Sequence, residues 1–174
     1  MDKNILKNVN IKLAIVLTLL LLIITQGITI YVDNLLKDTN SMTLIENKVN
    51  LTYIKNSGGA FGIGRDDTLS FILVSIIVIG IIIYFLVNQR ENMDKVAVLS
   101  LSLIMTGGIS NLIDRVFRGA VIDYIDISPI LKFPVFNLAD VFIVTGWIIF
   151  IVTVFVFWNK TSKEKEKIIR NKNF

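Results

Sequence analysis

Leu69–Val87 reads LSFILVSIIVIGIIIYFLV, with no charged residue and no polar stripe at helical spacing. A helix of a soluble bundle buries one face and wets the other, so its polar residues recur every three or four positions. This stretch is apolar all round and long enough to cross the hydrocarbon core. Val141–Trp158 is likewise apolar all round, and Leu13–Val32 and Val96–Ile113 are charge-free blocks of similar length. Four membrane-spanning helices are predicted, at about 13–32, 69–87, 96–113 and 141–158.

The 174-residue composition agrees, with 53% hydrophobic residues, 18% charged residues and a mean hydropathy of +0.68. Charged residues make up about a quarter of a typical soluble domain. The first block is too long for the apolar core of a typical signal peptide, and no small-residue cleavage site follows it. It reads as a retained helix.

Cations orient the helices. Lys3, Lys7 and Lys12 precede the first span, Arg90 and Lys95 occupy the short 88–95 loop, and the tail after Trp158 carries Lys160, Lys163, Lys165, Lys167, Arg170 and Lys172. Short loops rich in Lys and Arg stay inside. Both termini are therefore expected in the cytoplasm, and the long loops 33–68 and 114–140 outside. The whole chain, 1–174, reads as one integral membrane domain ending in a basic cytoplasmic tail at 159–174. Lys48–Ile54 alternates apolar and polar residues, a strand period. A small extracytoplasmic sheet is expected between helices 1 and 2. The fold class is thus an all-α membrane protein with a β-containing outer loop.

What is missing limits the chemistry. The chain has no cysteine and no histidine, so thiolate sites, Ser-His-Asp triads and the HExxH zinc motif are excluded. Acid–base work near neutral pH must come from Asp, Glu, Lys or Tyr. A transporter would need ionisable groups along a midplane path. The interiors of the last three spans hold none, and the first offers only Thr25, Gln26 and Thr29.

The polar residues gather on the outer side in four clusters. They are Lys55–Gly62, Gly107–Arg115, Ala120–Asp126 and Phe133–Asp140. Small residues at Gly107-Gly108 allow close helix packing in lipid, and Asn111 and Arg115 share a helix face one turn apart. Pro134 favours an extended entry and Asn137 suits an N-cap. Asp140 then sits at the third helical position. Asp123 and Asp140 have apolar flanks, a costly setting for a carboxylate unless it is paired or protonated. Two such carboxyls can share one proton, one activating water and the other protonating the scissile carbonyl. They could equally be caps or partners of Arg115 and Arg118. Spacing alone does not choose among Asp114, Asp123, Asp126 and Asp140.

Three blocks, in order, resemble the lipoprotein signal peptidase (signal peptidase II) family. Asn56-Ser57-Gly58-Gly59-Ala60-Phe61-Gly62 is similar to its N-T-G-x-A-F-S segment. Asn111-Leu112-Ile113-Asp114-Arg115 followed by Gly119–Tyr124 is similar to its G-N-L-I-D-R-x-x-x-G-x-V-x-D-F block. Phe133–Asp140 is similar to F-P-x-F-N-x-A-D. The resemblance implies an aspartyl peptidase of the bacterial plasma membrane with its active site near the outer face. Its substrates would be diacylglyceryl-modified prolipoproteins, cut on the N-terminal side of the lipidated cysteine. It implies Asp123 and Asp140 as the catalytic dyad, with Asn56, Gly58, Asn111, Arg115 and Asn137 around the substrate. Asp114 and Gln26 read as supporting residues. No cofactor, metal or nucleic-acid partner is expected, and the protein is expected to act as a monomer among membrane lipids.

The first helix departs from the pattern. Where the family usually has Asp-Gln, with Lys three residues after the Gln, this chain has Thr25-Gln26-Gly27-Ile28-Thr29. The two charges of an i,i+4 pair are absent together, which leaves no orphan charge. Thr can bond its own helix backbone instead. Ser57 stands for Thr and Ser110 for Gly. These changes motivate a second reading, a divergent non-catalytic paralogue that binds lipoprotein precursors.

Overall fold

A computed structural model of the chain describes residues 3–59, 63–64, 66–88 and 93–172, with side chains between 11 and 156. The Ala60-Phe61-Gly62 end of the first motif, Arg65, Arg90 and the terminal basic side chains lie outside the described residues. The elements run α1 (Lys3–Leu36), β1 (Ser41–Ile45), β2 (Val49–Asn56), α2 (Thr68–Asn88), α3 (Lys95–Arg118), β3 (Val121–Asp126) and α4 (Leu138–Lys172).

Four helical stretches are long and apolar enough to cross a membrane: Ile11–Leu36, Thr68–Asn88, Lys95–Arg118 and Leu138–Val156. The expected spans are all present, each inside a longer helix. A charge ends an apolar run in the sequence, but it does not end a helix whose backbone bonds are satisfied. The second long loop therefore starts at Gly119 rather than 114, and Asp114 and Arg115 lie inside α3.

α3 packs against each of the other three helices. It has the lowest mean hydropathy of the four spans, 1.9, yet the largest buried share. Its buried hydroxyls explain this combination. Ser100, Ser102 and Thr106 each donate to a carbonyl of their own helix at 2.8 Å. They are satisfied without a partner helix and leave the interface thin. Asp94 caps the N-terminus of α3 by accepting from the Ala97 amide at 2.7 Å.

The α3–α4 contact is closest at two glycines. A Cβ on Gly107 would collide with the Ala139 carbonyl oxygen and stand 2.6 Å from Ile143 Cγ1. One on Gly146 would lie 2.8 Å from the Ser100 carbonyl oxygen. Gly107→Ala is expected to push the first turn of α4 outward and destabilise the fold by about 1–3 kcal/mol. Thermal melting in detergent measures this, and an unchanged midpoint would mean the helices can separate without cost.

All the long connections lie at one end of the bundle, where they form a sheet of order β1-β2-β3. β1 and β2 pair antiparallel through a turn with Asn47 at φ 55°, a conformation asparagine tolerates well. The alternation at Lys48–Ile54 thus marks a real strand. The sheet is not confined to the loop between helices 1 and 2, however. Its third strand, β3, comes from the segment after α3 and pairs antiparallel with β2. β3 is buried on both faces, apart from half-buried Ile125, so its sequence shows no alternation. Val32, Leu36, Ile122 and Tyr124 form the core that seats the sheet on the end of α1.

Candidate active site

Gly119 is the hinge of the site. It takes φ 75° and its amide donates to the Arg115 carbonyl at 3.1 Å. This left-handed C-cap stops α3 and sends the chain back as β3. Asn111 and Arg115 on α3 and Asp123 on β3 are thereby brought to the same region. Asn137 and Asp140 arrive from the start of α4, because Phe136 pairs with Ile125 at the edge of β3.

The entry to α4 is a reciprocal cap. Asn137 Oδ1 accepts from the Asp140 amide at 2.9 Å, and Asp140 Oδ2 accepts from the Asn137 amide at 3.0 Å. This matches the N-cap and third-position assignment made from the sequence, in the form of a capping box. The Asn137 side-chain amide then has both hydrogens free, and both are used. Nδ2 donates to Asp123 Oδ1 at 2.9 Å and to Asn111 Oδ1 at 3.1 Å. Asn111 Nδ2 in turn donates to Asp140 Oδ1 at 2.9 Å. Asn137, Asn111 and Asp140 thus close a ring of hydrogen bonds, and Asp123 is attached to it through Asn137, which joins β3, α3 and α4.

The fourth element is β2. Ile54 faces Asp123 in the register, which makes Asn56 its diagonal neighbour on the same face. Asn56 Nδ2 donates to Asp123 Oδ2 at 2.8 Å. Its Oδ1 accepts from the Gly58 amide at 3.0 Å, an Asx turn that fixes which end of the amide meets the carboxylate. Arg115 Nη2 donates to the Gly58 carbonyl at 2.7 Å, and its guanidinium lies 5.1 Å from the Phe71 ring centroid. Arg115 Nε is buried without a partner. Arg115 therefore pins the Asn56–Gly58 loop to α3 and keeps one donor in reserve.

Asp123 is 4% exposed. Burial, and then the negative charge of Asp140, pushes its carboxyl up to about 7, against the opposing bonds from Asn56 and Asn137 and the charge of Arg115. A carboxyl so placed takes up and releases a proton near neutral pH. Asp126, the other carboxylate of β3, lies elsewhere and accepts from Thr52 and Ser128 at 2.9 and 2.8 Å. These bonds, led by Ser128, hold it below the usual carboxylate range. Geometry thus separates two aspartates that spacing left equivalent.

Gln26 and Asp114 form a second cluster nearby. Asp114 pairs with Arg118 one turn along α3, and its Oδ2 accepts from the Ile122 amide at 3.3 Å. Gln26 Nε2 donates to Asp114 Oδ1 at 3.1 Å and to Ser110 Oγ at 3.0 Å. Gln26 Oε1 accepts from Arg118 at 3.3 Å. This partly buried network links α1, α3 and β3. Ser110 joins it, a contact that no motif reading singles out.

The family signature described as "Signal peptidase (SPase) II" matches residues 17–156. This chain belongs to the signal peptidase II family. As a member it is a peptidase, and its four apolar helices make it a multi-pass membrane protein. It is 35% identical over 153 residues to a lipoprotein signal peptidase of Fusobacterium nucleatum, covering 87% of this chain and 90% of that one. It is 37% identical over 149 residues to a lipoprotein signal peptidase of Clostridioides difficile, covering 86% and 99%. A solved bacterial membrane enzyme, determined by the in meso method at 2.3 Å, superposes with a TM-score of 0.76 at 28% identity. That match covers 83% of this chain and 88% of the other.

Against the signal peptidase II pattern, the two threonines of α1 are well accommodated. Thr25 and Thr29 are 1% and 2% exposed. Thr25 donates to the Leu21 carbonyl of its own helix at 2.7 Å, as expected for a buried helical threonine. Thr29 is buried on the same helix and bears on the hydroxyl of Tyr124. The absent pair of charges therefore leaves no gap in the polar interior. Tyr124 and Thr29 are the contacts of this region that the sequence analysis did not find.

Proposed function

We propose that this signal peptidase II removes signal peptides from diacylglyceryl-modified prolipoproteins by aspartyl chemistry, cutting before the lipidated cysteine. The observation that carries this reading is the hydrogen-bonded chain holding Asp123 and Asp140 at the junction of β3, α3 and α4. Family membership and the lipoprotein signal peptidases it is similar to support the substrate class and a bacterial inner membrane location.

The substrate's apolar helix enters sideways from lipid, and its cleavage region lies extended beside the sheet. Asp123 and Asp140 hold one water and one proton between them. One carboxylate takes the water's proton as oxygen attacks the carbonyl carbon, and the other carboxyl donates its proton to the carbonyl oxygen; the proton taken from water then passes to the amide nitrogen as the C–N bond breaks, and the diol's proton returns to the dyad. Asn56, Asn111 and Asn137 keep the carboxyl oxygens oriented, so little reorganisation accompanies the change in charge. Arg115 and the Gly58 loop border the peptide. With both termini cytoplasmic, as the cation distribution indicates, the site faces outward. The chain acts as a single membrane domain and as a monomer.

Cleavage of a diacylglyceryl-modified prolipoprotein by the purified protein, with Asp140→Asn beside it, tests this reading. Binding without turnover by the folded wild type would favour the non-catalytic paralogue. The pH dependence is a second test. Below about 7 Asp123 retains the proton that the acid step needs, and above it that proton is lost. Activity is expected to fall about tenfold per pH unit beyond that limb. A rate flat from pH 6 to 9 would contradict a shared proton.

A further inference from the structure

We infer that Tyr124 is a positioning residue that ties α1 to the first turn of α4 and so sets where Asp140 stands relative to Asp123. The inference rests on the dyad reading above. Tyr124 directly follows Asp123 in β3 and is 3% exposed. Its ring packs in the core beside Val32, Leu36 and Ile122. Its phenolic oxygen accepts from the Leu138 amide at 3.3 Å. Val32 and Leu36 tie that ring to α1, and the Thr29 side chain of the same helix bears on the hydroxyl.

Leu138 is the first residue of α4, two positions before Asp140. Its amide is one of the orphan donors at a helix start, and here a side chain from another element satisfies it. The Asn137 and Asp140 amides of that turn are satisfied by the Asn137–Asp140 cap. The cap orients Asp140 within its own turn. The Phe136–Ile125 bridge and the Asn137–Asp123 bond hold the residues just before that turn to β3, and Tyr124 adds the bond to the first helical amide itself. Burial pushes the phenol up from its ordinary value, so it stays a neutral hydroxyl at working pH. Thr29 bears on the same hydroxyl. A threonine in a position where the family resemblance would put lysine is thereby given a task of its own.

Tyr124→Phe keeps the ring in its core and removes only the hydroxyl. The Leu138 amide loses its acceptor and α4 gains freedom at its first turn. A small misplacement of a reacting group is costly, so kcat is expected to fall about 10- to 100-fold with KM nearly unchanged. A merely structural role would not move the pH profile. Here it must move, because the charge of Asp140 helps to raise Asp123. The charged groups acting on Asp123 are Asp140 from α4 and Arg115 from α3, while Asn56 of β2 and Asn137 supply neutral donors. With Asp140 displaced, the alkaline limb should shift to lower pH.

The experiment measures kcat, KM and the pH–rate profile of detergent-purified full-length protein on a diacylglyceryl-modified prolipoprotein. Wild type, Tyr124→Phe, Thr29→Val, Thr29→Ser and Asp123→Asn are compared. Thr29→Val is expected to shift the limb in the same direction, Thr29→Ser to restore it, and the double Thr29→Val/Tyr124→Phe to be no worse than Tyr124→Phe. If Tyr124→Phe does not fold, Thr29→Val carries the same readout. An unmoved limb in folded Tyr124→Phe, or in Thr29→Val where that variant stands in, overturns the inference. Retained cleavage by Asp123→Asn would instead overturn the dyad reading beneath it.

Discussion

Asp123→Asn and Asp140→Asn are each expected to lower signal-peptide release by about 100- to 10,000-fold, the range associated with loss of one acid–base group. The substitution is nearly isosteric, so what it removes is the capacity to gain and lose a proton. The structure also bounds its side effects. Both oxygens of Asp123 accept from amide donors, Asn56 and Asn137. Both oxygens of Asp140 accept as well, from Asn111 and the Asn137 backbone. An asparagine at either place offers one acceptor and one donor group, so one existing bond is lost. That costs on the order of 1–3 kcal/mol of stability, which a folded membrane protein can absorb. The test pairs a cleavage assay with a melting curve in the same detergent. Variants that melt near the wild type and do not cleave place the chemistry on the dyad. Variants that insert, fold and still cleave within a few-fold of wild type would remove the carboxyls from the mechanism.

The parts of this fold that were legible are those whose physics is local. Apolar runs locate the spans because the bilayer demands length and hydrophobicity from consecutive residues. The alternation before Asn56 marks β2, although Val49–Tyr53 are half-buried on both faces. Asn137 and Asp140 announce their cap through a spacing of three. The contacts that were not legible join residues far apart in the chain. β3 hides because burial on both faces erases alternation. Gln26 meets Asp114 and Ser110 across 88 and 84 positions, and no local pattern encodes such a meeting. The family resemblance supplied Asp123, Asp140 and the asparagines as a set. It did not say that Asn137 bonds both Asp123 and Asn111, or that Thr29 bears on Tyr124. Those links depend on how α1, β3 and α4 converge, which is a property of packing.

Asn137 offers the other large effect, because it serves two tasks that substitution can separate. Its carbonyl oxygen caps α4, and its amide nitrogen joins Asp123 to Asn111. Asn137→Ala removes both. Loss of the cap is expected to cost about 1 kcal/mol of stability. Loss of the amide frees Asp123 to rotate away from Asp140, and activity should drop about 100-fold. Asn137→Ser puts back an oxygen that can accept from the Asp140 amide, but its short hydroxyl cannot reproduce both donations. Stability should recover while activity stays low. Asn137→Asp retains a good cap and reverses the rest, since it sets a third carboxylate against Asp123 Oδ1 and Asn111 Oδ1, where donors are required. It should melt near the wild type yet cleave least of the three, because like charge at that contact either repels Asp123 or takes up the proton the dyad needs. Melting midpoints and cleavage rates for the three variants therefore should not rank alike. If serine restored activity together with stability, the amide bridge would be dispensable, and Asn137 would matter to this enzyme only as the residue that starts its fourth helix.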